Sequence, residues 1–299
     1  ADTRRQASGI PIFHAPNPID NVGNQQARTQ NLHKLESTTS KAHPWREDRM
    51  TRSILLLLTF FCATTIAWGQ TAEEKAKTVE YVQALQNADG GFLFTAAADG
   101  GERVSSLSAT SVAARALKYF GGQVKDLAAC RQYVANCFDK SAGGFSDKPH
   151  GEVTPMATSV GLMSAVELKM NTGKFASSAY SYLCNNAKTF EDIRIAAAGL
   201  ESIHKVPPKS SSWLADVLKS RNTDGTYGQA NGVARDTGGS VVLVMRLGGE
   251  IDNKAQVLKS MKSGQRTDGG FGKMGATGSD LETSYRVMRA FMMLKEEPD

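Results

Sequence analysis

The chain has 299 residues, 40 % hydrophobic, 22 % charged and only 7 % aromatic, with 35 basic against 30 acidic side chains. Eight of the 35 basic and five of the 30 acidic residues precede Gln70, leaving 27 against 25 beyond it, so most of the apparent basicity lies outside the remainder. A nearly neutral stretch without a basic stripe or interleaved aromatics carries no footprint for nucleic acid, and none is expected as a partner.

In chain order, residues 1–49 mix Asn, Gln, Pro, Arg and Ser and show neither a helical nor a strand period. The expectation is a disordered segment, or upstream sequence translated in error. Met50 opens a short basic region ending at Arg52, followed by an apolar run from Ile54 to Ile66 and a small-residue exit at Ala67-Trp68-Gly69. This has the form of a signal peptide spanning 50–69, and the run falls short of the roughly 20 residues that a bilayer core requires. Removal near Gly69 implies a secreted or periplasmic protein whose domain runs over 70–299, long enough for one sizeable core.

Apolar period and capping residues predict helices in pairs beyond Gln70. First members fall at 72–87, 126–139, 174–187, 211–221 and 253–265, and second members at 105–120, 154–170, 191–205, 236–247 and 280–294. Three cysteines lie in this region, and Cys130 and Cys137 sit seven apart on one predicted helix, about 10 Å along its axis. That is beyond disulfide reach, so Cys130, Cys137 and Cys184 read as buried thiols. Second members such as Ser108-Ala109-Thr110-Ser111-Val112-Ala113-Ala114 and Ala196-Ala197-Ala198-Gly199-Leu200 are small and apolar, which suits helices approached from both sides. They form the expected inner layer, with the more charged first members outside.

A tight turn separates the two members in four of the five pairs: Asp89-Gly90-Gly91-Phe92, Gly143-Gly144-Phe145, Asp224-Gly225-Thr226-Tyr227 and Asp268-Gly269-Gly270-Phe271, at intervals of 53, 82 and 44 residues. Such recurrence marks a repeat architecture. Glycine admits positive φ where the chain reverses, and the aromatic can fold back as a plug. The third pair has Lys188-Thr189-Phe190-Glu191 instead. No GxxxxGK[ST] occurs, and glycines between two helices lack the strand of a dinucleotide fingerprint.

The spacing Tyr81-Val82, Gln86, Gly90-Gly91-Phe92 resembles the QW repeat of squalene-hopene cyclases, with Phe for Trp. Gly143-Gly144-Phe145-Ser146-Asp147-Lys148-Pro149 resembles the GGFxDKP loop of protein prenyltransferase β subunits, including the geranylgeranyl type, and Gly269-Gly270-Phe271-Gly272 with Asp280 and Tyr285 resembles another repeat of that superfamily. The similarity covers roughly 72–294. It implies an all-α fold, an α/α toroid of about five helical hairpins, one fewer than the six of a full prenyltransferase ring, so the ring is either open or completed by a partner. It also implies an activity, prenyl transfer to an acceptor thiolate held by zinc, whose ligands include a His after the GGFxDKP loop and a D-x-C pair. Here Met156-Ala157-Thr158 stands at the His and Asp280-Leu281-Glu282 at the pair, so alanine and glutamate replace His and Cys. Beyond Gln70 only His150 and His204 remain, so neither a metal site nor any other cofactor is expected. The DxDD acid of cyclases, the DDxxD magnesium motif and the Cys-Gly-Glu-Gln thioester motif are all absent.

If the ring closes, loops before the inner helices meet at one mouth, bringing His150, Arg194, Arg235, Asp236, Lys273, Asp280, Glu282 and Arg286 towards it. Asp236, Asp280 and Glu282 are the candidate catalytic carboxylates, since paired acids about 5–9.5 Å apart serve glycoside hydrolysis; acids in a first helical turn also serve as dipole partners. His150, Arg235, Lys273, Tyr285 and Arg286 are the candidate ligand-binding set, with the three cations suited to a diphosphate or other anion. Arg286 is also placed four residues after Glu282 for an ion pair. Expected partners are an isoprenoid or other apolar ligand, and a protein partner or further copies of the chain. Two functions follow: an exported binding module that lacks the zinc site, or a transferase resembling a geranylgeranyltransferase β subunit acting on an isoprenoid diphosphate.

Overall fold

The computed structural model describes residues 70–96, 103–207, 210–229 and 232–299; the expectations for residues 1–49 and 50–69 lie outside it. Ten α-helices follow in order: α1 Ala72–Ala84, α2 Leu107–Tyr119, α3 Leu127–Asn136, α4 Pro155–Glu167, α5 Ala176–Asn186, α6 Phe190–Ser202, α7 Ser210–Lys219, α8 Val233–Arg246, α9 Lys254–Lys262 and α10 Leu281–Leu294. The even-numbered helices pack in succession, α2 on α4, α4 on α6, α6 on α8 and α8 on α10, and each odd-numbered helix lies against this layer. The difference in burial follows from composition. The α1 sequence AEEKAKTVEYVQA buries no residue fully, whereas α8, with its Thr-Gly-Gly-Ser-Val-Val-Leu-Val run, buries nine. This is the two-layered α/α toroid of five hairpins. Its ends, α2 and α10, make no extensive contact with each other among the described residues, so both edges of the inner layer stay open.

Local chemistry sets the helix starts. Ser106, Thr154, Thr189 and Asp280 cap α2, α4, α6 and α10 through side-chain bonds to the third amide of each helix. The four first members that lead into a glycine turn stop two to three residues earlier than their apolar period predicts, because the residues after them pair with the turn aromatic, and α5 stops one residue earlier. Gln86 bridges Phe92, Arg221 bridges Tyr227 and Gln265 bridges Phe271, while a two-residue strand β1 (Phe138–Asp139) pairs antiparallel with β2 (Gly144–Phe145).

All four turn aromatics are buried plugs, and each is held the same way. The backbone amide of Phe92 donates to Thr110 Oγ1 at 3.0 Å, that of Phe145 to Thr158 Oγ1 at 3.0 Å, that of Tyr227 to Thr237 Oγ1 at 3.0 Å and that of Phe271 to Ser284 Oγ at 2.8 Å. A buried amide requires an acceptor, and a hydroxyl one turn into the inner helix supplies it. The third hairpin lacks the glycine turn, and the residue four after its cap Thr189 is Ile193, which has no hydroxyl to offer. Thr158→Val keeps the shape but leaves the Phe145 amide without this acceptor. The expected cost is about 1–3 kcal/mol, read as a lower urea midpoint at unchanged m-value.

The motif residues around the plugs tie hairpins together. Gln86 accepts from the Asp126 amide at 2.9 Å and donates to the Asp126 carbonyl at 2.8 Å, which fixes the first turn against the start of α3. Asp147 of the GGFSDKP loop accepts from the Ser108 amide at 2.9 Å and from its hydroxyl at 2.6 Å, while its carbonyl accepts from the Leu107 amide at 2.7 Å. The loop of the second hairpin therefore satisfies otherwise orphaned donors at the N-terminus of α2. Cys130, Cys137 and Cys184 are buried; burial pushes the Cys130 and Cys137 thiols up to about 12, so both remain protonated and inert.

Candidate functional site

Three acids occupy the first turns of three successive inner helices: Glu191 in α6, Asp236 in α8 and Glu282 in α10. A carboxylate there meets the positive end of the helix dipole. Arginines complete an unbroken line of alternating charge across all three helices. Arg194 Nε donates to Glu191 Oε2 at 2.8 Å, and Arg286 Nη2 donates to Glu191 Oε1 at 2.8 Å and to Glu282 Oε1 at 2.7 Å. Arg235 Nη2 donates to Glu282 Oε1 at 2.7 Å, and its Nη1 to Asp236 Oδ1 at 2.8 Å. The sequence Arg194, Glu191, Arg286, Glu282, Arg235, Asp236 thus sums to zero.

Arg286 begins on α10 and ends beside α6, so it must pass α8. Two glycines make the passage. A side chain at Gly238 would lie 3.0 Å from the Arg286 backbone, and one at Gly239 would lie 3.1 Å from Arg286 Nη1. Gly238 brings α8 and α10 into close contact, while Gly239 leaves the groove in which the guanidinium lies at 4 % side-chain exposure.

Electrostatics follow the bonds. Glu282 is held below the usual carboxylate range by hydrogen bonds from Arg235 and then Arg286, against a smaller opposing effect of burial. Burial acts to raise Glu191, but Arg194 and Arg286 together bring it below its ordinary value. Arg235 is raised, first by its bond to Glu282. Arg286 Nη1 and Arg235 Nε are buried and have no acceptor among the described residues. At the other end of α8, Arg246 donates from Nε to Glu201 Oε2 at 2.9 Å, and burial together with the neighbouring Arg289 acts against its charge.

Of the sequence-derived candidates, the structure joins Arg235, Asp236, Glu282 and Arg286 in the charged line. Asp280 caps α10, with Oδ1 accepting from the Thr283 amide at 2.8 Å and Oδ2 from the Thr283 hydroxyl at 2.7 Å, which lowers its pKa. Lys273 is exposed in the preceding loop and acts electrostatically on Asp280. Tyr285 stands exposed on α10. His150 is exposed before α4 at a φ of 62°, close enough to Asp139 to act on its charge. Sequence reasoning placed Arg194 near the mouth without a role and passed over Glu191, the acid that anchors Arg286. The available signal was the matching position of Glu191 and Glu282, each two residues after its helix cap.

The described residues contain no group of three or more His, Cys, Asp and Glu that could hold a metal ion. Two concavities, of about 730 and 330 Å³, lie at the third and first glycine turns, lined by residues such as Arg221 and Asp224 and by Gln83 and Lys125 respectively; the larger is also lined by Gly228, where an added Cβ would lie 2.5 Å from Asp236 Oδ2, so it borders that end of the charged line. A family model described as the prenyltransferase alpha-alpha toroid domain matches residues 57–121, 115–177 and 193–299, well over half of the chain. No curated protein matches it.

Proposed function

The chain belongs to the prenyltransferase alpha-alpha toroid family, and from that premise we propose that it is an exported binding module at the toroid mouth, not a zinc-dependent prenyltransferase. The single observation that carries this reading is the self-neutralised line from Arg194 to Asp236. Each of its carboxylates accepts a hydrogen bond from at least one arginine. Zinc takes nitrogen and sulfur ligands in a tetrahedron. Ala157, at the family's His position, is buried and offers no donor atom, both oxygens of Asp280 serve Thr283, and Glu282 stands where the family has Cys. This donor set does not fit the ion.

The same positions favour recognition. Arg286 Nη1 and Arg235 Nε, two buried donors without acceptors, leave capacity for an oxygen acceptor at the mouth, and the exposed Tyr285 and Met288 offer contact to an apolar chain. An isoprenoid or similar amphiphile is the ligand class with both properties. Export rests on the Met50–Gly69 segment. The competing reading, a transferase acting on an isoprenoid diphosphate, draws on family membership, and fold does not carry activity.

Purified protein is expected to hold well under one zinc per chain and to give no product from farnesyl or geranylgeranyl diphosphate with a thiol peptide. Farnesyl diphosphate itself is expected to raise the melting temperature through binding to the native state. Stoichiometric zinc that is lost in Asp280→Ala, together with turnover, would establish the transferase instead.

A further inference from the structure

Among the described residues the last inner helix, α10, has an inner-layer neighbour on one side only, α8. Its buried residues Thr283, Arg286, Val287, Ala290 and Phe291 face α8 and the Phe271 plug. At 3.6 residues per turn, the opposite edge carries Leu281, Tyr285, Met288 and Met292, exposed at 89, 58, 45 and 49 %. These are among the most exposed large apolar side chains of the described residues, and they form one stripe about 16 Å long at the helical rise.

The spacing of this stripe is 4, 3, 4. It is the a/d seam of a two-stranded helical pair over about two heptads, and it reads the same in both directions. A copy of α10 laid antiparallel about a two-fold axis between Tyr285 and Met288 therefore meets it in register, Leu281 against Met292 and Tyr285 against Met288, twice over. Such self-complementarity is the requirement of an isologous contact.

Charge selects the same orientation. Glu282 and Arg289 flank the seam on one side, seven residues apart. In a parallel pair the two copies of this flank lie on opposite sides of the seam, so that Glu282 and Arg289 of one chain meet neither residue of the other, whereas antiparallel copies bring the flanks together and set each Glu282 beside the other chain's Arg289. Both groups have capacity for this contact. Arg235 and Arg286 both bond to Oε1 of Glu282, and Oε2 accepts no bond from the described residues. Arg289 is partly exposed and lies near a second cation, Arg246, whose charge a further carboxylate would offset.

We propose that the free edge of α10 is a self-association surface on which a second copy of the chain packs its own α10 antiparallel. The contact covers Tyr285 and Met288, so a second copy and an apolar ligand on those side chains exclude each other, and the test is made without added ligand. One helix edge per chain buries less than the roughly 1,200 Å² of standard stable interfaces, so the pair is weak, with a dissociation constant on the order of 10–100 µM.

Position-specific cross-linking tests it in the full chain. Leu281→Cys and Met292→Cys are made as separate variants in a Cys62→Ser background; both sites are exposed, and Cys130, Cys137 and Cys184 are buried. Under mild oxidation a mixture of the two is expected to give a disulfide-linked dimer, while either variant alone stays at the wild-type background. Met288→Lys introduced into both is expected to reduce the yield at least tenfold, with circular dichroism and melting temperature unchanged. Sedimentation velocity of the wild type across 5–200 µM should show a concentration-dependent dimer. A mixture that cross-links no better than wild type overturns the proposal, as does equal cross-linking by Leu281→Cys alone, which denotes a parallel contact, or a yield that survives Met288→Lys.

Discussion

Replacing Phe145 by Ala is expected to remove about 3–5 kcal/mol of folding stability and to lower the melting temperature by roughly 6–20 °C for a domain of this size. Phe145 is the fully buried plug of the second hairpin. Its ring centroid lies 5.0 Å from that of Phe138 and 5.3 Å from that of Phe175, and those two lie 5.1 Å apart. The three rings come from β1, β2 and the start of α5, so the substitution empties the junction of three elements. It also forfeits edge and tilted ring contacts worth about 0.5–1.5 kcal/mol each beyond area burial. The neighbouring helix cannot close the void, because α4 is already in contact through Gly161, where an added Cβ would lie 2.3 Å from the Phe145 ring. Gly161→Ala is therefore expected to destabilise by overpacking, about 1–3 kcal/mol. Phe94→Ala, at an exposed aromatic of the first turn, should stay within about 0.5 kcal/mol. Thermal denaturation of the three variants checks the order. An undiminished melting temperature in Phe145→Ala would refute the plug.

Glu191→Gln is expected to cost about 2–4 kcal/mol, more than its own exposure suggests. The reason lies in its partner. Arg286 is almost wholly buried, and an uncompensated buried charge is the expensive outcome of breaking an ion pair; the half-exposed Glu191 and the remaining bond to Glu282 keep the figure below the full penalty. Glu191→Gln with Arg286→Met should recover part of the loss, since removing both charges leaves no orphan. A double-mutant cycle in urea measures the coupling. The same line sets a dependence on acid. Glu191 and Glu282 have folded-state pKa values lowered from 4.5, so they stabilise the fold above about pH 4.5, and this contribution is lost as pH falls through the lowered values. The melting temperature of the wild type should accordingly drop below pH 4.5, with a shallower slope in Glu191→Gln. A slope identical in both would show that Glu191 does not contribute.

Much of the fold was legible in the residues themselves. Ten apolar periods gave ten helices, and the starts were close because caps such as Ser106, Thr154 and Asp280 are local chemistry, recognised by a side chain three residues from its amide. The ends of the first helices were less legible. Leu85 and Gln86 continue the apolar and polar pattern of α1, yet Gln86 pairs with Phe92 and with Asp126, forty residues away. The hydroxyl clamps were visible as a Ser or Thr four residues after each of those caps, at Thr110, Thr158 and Ser284, but their partner amides lie up to 18 residues back.

At the mouth the division is sharper. The order of the residues was enough to give the residue types: acids in the first turns of α6, α8 and α10, arginines nearby, alanine and glutamate where a zinc site would need histidine and cysteine. It was enough for the five hairpins too, because helix period, cap and glycine reversal are all properties of neighbours in the chain. Which charges meet was settled by packing. Arg286 is four residues from Glu282 and 95 from Glu191, and it reaches both at bonding distance because Gly239 leaves a groove across α8. An ion pair depends on distance in space and on the solvent excluded around it, and neither is written in the order of the residues.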